Sequence, residues 1–249
     1  MNLLLIEDNR HLQRIFSDKF RREGFNVVLA DGGHQGLQLA TEIHPGVILL
    51  DLMMPNMDGF EVLTHLRADP DLSSIPAFVL SNRPSSNDVQ HALALGARQF
   101  FPKGLSALED IARQIRVICG LKKVLICTNS PTLAEPIVSA LAHPQLLCPV
   151  VTLLDEIVGA AEHGKPEIIV LDARMPNALT LLQQLKTDPA TKSVPVIAVG
   201  NPGQTPNRAD EFIDSANLVS DLRPAVLNRL GLQESAATQP GNVPVAATA

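Results

Sequence analysis

At 249 residues the chain is long for one domain and natural for two of about 100–150 residues each, and its 45% hydrophobic content gives each enough to bury a core. A formal net charge of -6 with no basic block, and the absence of Trp and Tyr, argue against a protein that neutralises phosphates or stacks on bases. Three cysteines without metal-ligand spacing, no basic leader and no apolar run near the ~20 residues of a membrane span predict a cytoplasmic protein with no membrane partner.

The first half alternates between short apolar runs and amphipathic stretches. Strands are predicted at 3–7, 26–30, 46–50, 76–80 and 98–101, and helices at 10–23, 34–43, 58–68, 86–95 and 105–118. Continuous apolar strands between amphipathic helices mark a parallel sheet covered on both faces. Gly24 and Gly96 sit where helix ends need a left-handed residue. Asp58 can cap the third helix, and Asp69-Pro70 stops it.

From Lys122 the pattern restarts. Val124-Leu125-Ile126-Cys127-Thr128 mirrors Leu4-Leu5-Ile6-Glu7-Asp8, and Pro166 to Asp172 mirrors Pro45 to Asp51. Asp51 and Asp172 are each followed four residues later by Pro-Asn, and Leu66 to Pro70 is echoed by Leu185 to Pro189. Such a series in register is an internal duplication. Ser81 and Gly200 lie 119 apart but Phe100 and Phe212 only 112, so seven residues are missing from the stretch that forms the fourth helix of the first half. What remains, Asn201 to Asn207, holds two prolines and a glycine and cannot propagate a helix. A loop and a thin covering of the second sheet are expected there. The last helix is predicted from Ser220 or Asp221 to Leu230, ending at Gly231, and the residues from Gln233 read as a disordered tail. The units are thus 1–119, 120–232 and a tail at 233–249, with so short a junction at Cys119-Gly120-Leu121 that their orientation is restricted.

The chemistry concentrates at predicted strand ends. Glu7-Asp8 closes the first strand and Asp51 the third, so three carboxylates converge at the carboxyl edge of a parallel sheet. Their repulsion calls for a hard cation, of which Mg²⁺ is the ordinary solution. Ser81 ends the fourth strand and Lys103 follows the fifth, supplying a hydroxyl and an ammonium for phosphoryl oxygens. Phosphoryl transfer needs charge neutralisation and alignment more than covalent help, with Asp51 as nucleophile. Cys127 reads as core, the seven histidines as mostly solvated surface without ligand spacing, and Arg21-Arg22 and Lys122-Lys123 as solvated charges.

These residues make the first half resemble a response regulator receiver domain of bacterial two-component signalling: Glu7-Asp8, Asp51, Pro55 and Gly59 at the family spacing, Ser81, Lys103 and Phe100. The resemblance implies a flavodoxin-like (βα)5 fold for residues 1 to about 118, Mg²⁺ held by Glu7, Asp8, Asp51 and the backbone carbonyl of Met53, and Phe100 as a switch aromatic coupled to Ser81. It implies phosphate arriving from a histidine kinase or histidine phosphotransfer protein, and slow autodephosphorylation as the most that could be called enzymatic. Lys103-Gly104 departs from the family's Lys-Pro. The second half resembles a receiver stripped of its chemistry: Cys127-Thr128 replaces the acidic pair, Gly200 the hydroxyl residue and roughly Ser215, beside Asp214, the lysine. Asp172 survives as a cap or relic that is not efficiently phosphorylated, and Phe212 as core, so Mg²⁺ belongs to the first half alone. The output expected is phosphorylation-controlled binding of a downstream protein. The alternatives are a phosphate sink for a shared kinase, and a scaffold or homodimerisation protein exposing an apolar patch near 196–213.

Overall fold

The computed structural model describes residues 1–82, 85–103, 108–203, 206 and 208–233. The fold is α/β, with two parallel sheets. In the first, β1 (Asn2–Ile6), β2 (Asn26–Ala30), β3 (Val47–Asp51), β4 (Ala77–Ser81) and β5 (Gln99–Pro102) lie in the order β2-β1-β3-β4-β5. Between them run α1 (Arg10–Arg22), α2 (Gly33–Ile43), α3 (Gly59–Ala68) and α4 (Ser86–Ala94), and α5 (Leu108–Ile118) follows. This order is flavodoxin-like, with the reversal between β1 and β3 opening a crevice at their carboxyl ends. All five residues of β3 and of β4 are buried, as strands covered on both faces must be. One face packs on α1 and α5 through Leu3, Leu5, Phe16, Phe20 and Ile115, the other on α2 and α3 through Leu4, Ile6, Val62 and Leu66.

The second sheet holds β6 (Lys122–Cys127), β7 (Leu146–Leu147), β8 (Val150–Val151), β9 (Ile168–Asp172), β10 (Val196–Gly200) and β11 (Glu211–Asp214). Its order, β11-β10-β9-β6-β7 with β8 also on β6, repeats the first with β7 and β8 in the place of β2. Pro149 lacks the N–H that would continue one strand through Cys148-Pro149, and the strand splits there. The covering helices are α6 (Pro131–Ala140), α7 (Leu154–Gly164), α8 (Ala178–Thr187) and α9 (Leu218–Leu230). The backbone repeats too: His44 and Lys165 end their helices in the left-handed conformation, and Asn56 and Asn177 adopt it, each five residues past the strand-end aspartate of β3 or β9.

Several expectations change. No helix occurs among the described residues between β10 and β11, yet β10 is buried throughout, so the covering is not thin. Pro206 is buried, Ala209 packs against the α7–α8 face, and Asp210 ties the loop down by accepting from Val196 N–H at 2.7 Å and pairing with Lys186 at 2.5 Å. Among the described residues the stretch before β11 is anchored by one carboxylate, and the apolar residues Val196, Ile197, Ala198, Val199 and Ile213 are buried rather than forming an exposed patch. The last helix starts at Leu218, after a short 3-10 turn at Ser215–Asn217, earlier than the sequence implied. His143 is buried rather than solvated, its ring taking Gln145 N–H at 3.1 Å. The tail beyond Gln233, Gly104 and the expected helix start at 105 lie outside the described residues.

Lys123 is the largest correction. It is not a solvated charge but 4% exposed, and its Nζ lies 2.6 Å from Glu23 Oε2 at the end of α1. Arg116 of α5 donates to the carbonyls of Gly164 and Lys165 at 3.3 and 3.2 Å, capping the negative end of α7. Gly24, at φ 92°, brings its backbone so near that a Cβ there would stand 2.9 Å from Pro149 Cδ. Leu121 and Leu147 sit in the same apolar cluster as Phe25, Ala112 and Ile115. The ends of α1 and α5 and the start of β2 all lie at the amino edge of the first sheet, so the second unit docks opposite Asp51.

Candidate functional site

Short apolar strands carry the site because they deliver polar side chains where the apolar run ends. Asp51 is the last residue of β3 and Ser81 of β4, while Glu7 and Asp8 follow β1 and Lys103 follows β5. Gly59 opens α3 so close to this edge that a Cβ would stand 2.4 Å from the Asp51 carbonyl, which places the capped helix start, with Asp58 and Glu61 forming a capping box, directly beneath the Asp51–Leu52 turn.

One oxygen from each of Glu7, Asp8 and Asp51 lies within 4.8 Å of the others. Glu7 and Asp51 are 1% and 4% exposed, whereas Asp8 faces solvent. Lys103 Nζ is 2.6 Å from Asp51 Oδ2 and 2.7 Å from Glu7 Oε2. That ammonium balances two buried carboxylates, but its approach to Glu7 is an ion pair without hydrogen-bond alignment, leaving Glu7 Oε2 with no hydrogen-bond donor. Burial pushes the Glu7 carboxyl above its ordinary range, and Asp51 adds to the rise while Lys103 opposes it. Met53 N–H donates to Asp51 Oδ1 at 3.2 Å, and its side chain is exposed at the mouth. Ser81 is buried, and its carbonyl accepts from Lys103 N–H at 2.9 Å, which ties the lysine backbone to β4. Glu7, Asp8, Asp51, Met53, Ser81 and Lys103 thus share one crevice of about 340 Å³. Phe100 is half-buried against the α2–α3 face, not in the crevice. The sequence reading missed Asn9 and Asn82, which also line it; Asn9 caps α1 by accepting from His11 and Leu12 N–H.

Three oxygen donors, one of them buried without a hydrogen bond, suit a hard divalent cation, and they would hold it close to Asp51. A buried carboxylate, an acidic cluster suited to a cation, an ammonium and a buried hydroxyl in one crevice are parts that phosphoryl transfer to a carboxylate would use.

The carboxyl edge of the second sheet is built differently. Ile6 pairs with Leu50 in β3, and Cys127 with Leu171 in β9, so Thr128 stands where Glu7 does and Asn129 where Asp8 does. The substitution of the acidic pair by Cys127-Thr128 is therefore off by one residue. A one-residue slip turns a side chain to the other face, and Cys127 belongs to the buried α7–α8 face. Gly200 ends β10 as Ser81 ends β4, and β11 ends at Asp214, so Ser215 does follow at the lysine position. Asp172 is 2% exposed and fully engaged: Thr128 Oγ1 donates at 2.9 Å, and Arg174 donates from its backbone N–H and Nε at 3.0 Å each. Arg174 went unnoticed because it occupies the place of Met53, a position where only side-chain reach reveals a counter-charge. Phe212 is half-buried on the edge strand.

The model of the response regulator receiver domain family matches residues 3–116. Residues 3–116 are a receiver domain. Over 118 residues the chain is 32% identical to the response regulator MprA of Mycobacterium leprae (strain TN), covering 47% of this chain and 50% of that protein. Over 111 residues it is 33% identical to the DNA-binding response regulator MtrA of Mycolicibacterium paratuberculosis, covering 45% and 48%. The chain spans about half the length of these curated relatives. Among solved structures it is similar to the chemotaxis protein CheY4 of Vibrio cholerae, at 24% identity, 46% and 97% coverage and a TM-score of 0.43. It is also similar to the receiver domain of the sensor histidine kinase PA1611 from Pseudomonas aeruginosa, which holds magnesium in its cleft, at 25% identity, 45% and 94% coverage and a TM-score of 0.42. No described helix is long and apolar enough to cross a membrane.

Proposed function

We propose that the chain is a two-component response regulator that accepts phosphate on Asp51 and answers by changing what it binds, with residues 120–232 serving as a receiver-like module that has lost the reaction. The observation that carries this reading is the Glu7–Lys103–Asp51 cluster, two buried carboxylates bridged by one ammonium beside a third carboxylate. In the reaction an Asp51 oxygen attacks phosphorus, and the bond from phosphorus to the donor's imidazole nitrogen breaks. The electron pair goes to the imidazole, and an acyl phosphate forms on Asp51. Lys103 turns from the carboxylates to a phosphoryl oxygen, and Ser81 offers its hydroxyl to another. Glu7, Asp8, Asp51 and the Met53 carbonyl would hold Mg²⁺, which supplies neutralisation of the charge gathered there.

The second unit is read as permanently unphosphorylated. Asp172 has an arginine and a threonine in contact instead of two carboxylate neighbours, so a divalent ion has neither the charge nor the space to bind it. Docking of that unit at the amino edge of the first sheet favours a fixed module over a partner for the α4–β5–α5 face. That face is then open to a downstream protein or a second copy. A histidine kinase or phosphotransfer protein is the donor.

The test is intact mass after a small-molecule phosphodonor and Mg²⁺, with light-scattering mass on the same samples. A labile adduct of roughly 80 Da is expected in wild type and Asp172→Ala and absent from Asp51→Ala. No adduct on Asp51 sinks the proposal and leaves a constitutive scaffold; rapid turnover of the adduct with no change in any association favours a phosphate sink. Salt-sensitive binding to duplex DNA would instead extend to this chain the property named for MtrA.

A further inference from the structure

The receiver's helices are anchored very unequally. Of its residues, α1 buries Gln13, Phe16, Ser17 and Phe20, and α3 buries Gly59, Val62, Leu63 and Leu66, but α4 buries only Ala92. The Ser85–Asp88 capping box of α4 is internal to the helix and fixes its start, not its position on the sheet. One fully buried methyl group, with Val89 half-buried, is a small apolar anchor for a nine-residue helix, since stabilisation follows the apolar area removed from water. A second contact makes up for this. The ring of His91, on α4, stacks on the ring of Phe60, on α3, with centroids 4.6 Å apart and planes inclined at 21°. Phe60 is itself seated by packing on the α2–α3 face of the sheet, in the cluster that also holds Leu95, Ala97 and Phe100.

We propose that the Phe60–His91 stack is a latch that holds α4 in its resting position, and that a switch originating at Asp51 must act against this contact to move the helix. The signalling sense of the latch rests on the reading of Asp51 as phosphoacceptor; its mechanical sense does not. Two features single out the pair. His91 is exposed and lies outside the crevice of Glu7, Asp51 and Lys103, so its part is not chemical. Phe60 and Phe100 both pack against the same apolar cluster on the α2–α3 face, so the latch is seated on the core layer that also carries Phe100. An aromatic pair contributes on the scale that separates two populated conformations, which makes it a contact a switch can overcome.

Hydrogen–deuterium exchange of the Val89–Leu95 amides in the full chain tests this, with His91→Ala, His91→Phe and Phe60→Leu compared to wild type. His91→Ala raises intrinsic helix propensity, so loosening of α4 by that change cannot be a propensity effect. Exchange is expected to quicken about 2- to 10-fold in His91→Ala and Phe60→Leu and to return to the wild-type rate in His91→Phe, which keeps a ring pair. Unchanged exchange in His91→Ala, or exchange in His91→Phe as fast as in His91→Ala, overturns the latch. A second arm adds phosphodonor and Mg²⁺ and follows adduct mass and exchange together. Where the adduct forms, wild-type α4 is expected to reach the rate of His91→Ala, and an adduct with α4 exchange unmoved overturns the proposal. If no adduct forms in any variant, the acceptor reading fails by itself, and the first arm alone decides the latch.

Discussion

Glu23→Gln tests the union of the two sheets. The substitution keeps the size of the side chain but takes from the buried Lys123 ammonium the carboxylate 2.6 Å away. Lys123 cannot simply turn to water: its side chain is 5% exposed, and Gly164 stands so close that a Cβ there would be 2.8 Å from Nζ. Its backbone is held as well, because Lys123 N–H donates to Glu167 Oε2 at 2.7 Å and its carbonyl accepts from Glu167 N–H. Breaking a buried pair from one side costs roughly 3–5 kcal/mol. With Glu23 20% exposed and able to keep some water, the lower end of that range, about 3 kcal/mol, is expected. In the double variant Glu23→Gln, Lys123→Met no charge is left stranded, so much of the loss should be recovered.

Because Trp and Tyr are absent, urea unfolding is best followed by far-ultraviolet circular dichroism. One transition is expected for wild type, since Leu121 and Leu147 close the apolar cluster built around Phe20, Phe25 and Ile115. Alkylation of Cys148 gives an independent readout of the same junction. Burial pushes that thiol up to about 12, so it reacts slowly until the interface opens. Faster labelling of Cys148 should accompany the lost stability in Glu23→Gln. A loss below about 1 kcal/mol, the value of a surface pair, with labelling unchanged, would refute a buried and energetically coupled interface.

Two further outcomes follow from the strand-end sites. Arg174→Met should lower stability by about 1–3 kcal/mol, because Asp172 then loses charge-assisted hydrogen bonds while remaining buried; an unchanged urea midpoint would mean that water replaces the guanidinium without cost. The Glu7 carboxyl, raised chiefly by burial, favours folding most when protonated, so this contribution is present at acid pH and is lost as pH climbs through the raised value. Addition of Mg²⁺ should therefore raise the melting temperature little in acid and increasingly toward neutral pH, and a calorimetric shift independent of pH would count against Glu7 as a ligand.

Much of the first unit was legible because its signals are local. The periodicity of 3–7 or 76–80 reports burial on both faces, Asp58 reports its own cap, and Glu7-Asp8, Asp51, Ser81 and Lys103 each end or follow an apolar run. What failed to show in the sequence is long-range. Lys123 read as a solvated charge because nothing near it in the chain reveals Glu23, one hundred residues away. The anchored loop before β11 looked thin because proline and glycine forbid a helix but do not say that Asp210 will meet Lys186 and Val196 N–H. The slip at Cys127-Thr128 has a different origin. Matching Val124 to Leu4 aligns apolar residues with apolar residues at either register, and only pairing to the aspartate-bearing strand separates them.

The two strand-end aspartates meet one physical demand in two ways. A carboxylate at a covered sheet edge must be balanced, and in both units it is balanced by a cation and by neighbouring donors. At Asp51 the cation comes from Lys103, just past the end of β5, and it is shared with Glu7. One ammonium shared between two buried carboxylates is an arrangement that an incoming charge can redistribute. At Asp172 the cation comes from Arg174, two residues along the same loop, and Thr128 supplies a further donor. Those partners satisfy the carboxylate in full and offer a divalent ion nothing to improve. The same position on the same fold is thus poised in one unit and settled in the other. The difference lies in whether the balancing charge is borrowed from across the crevice or carried by the loop itself.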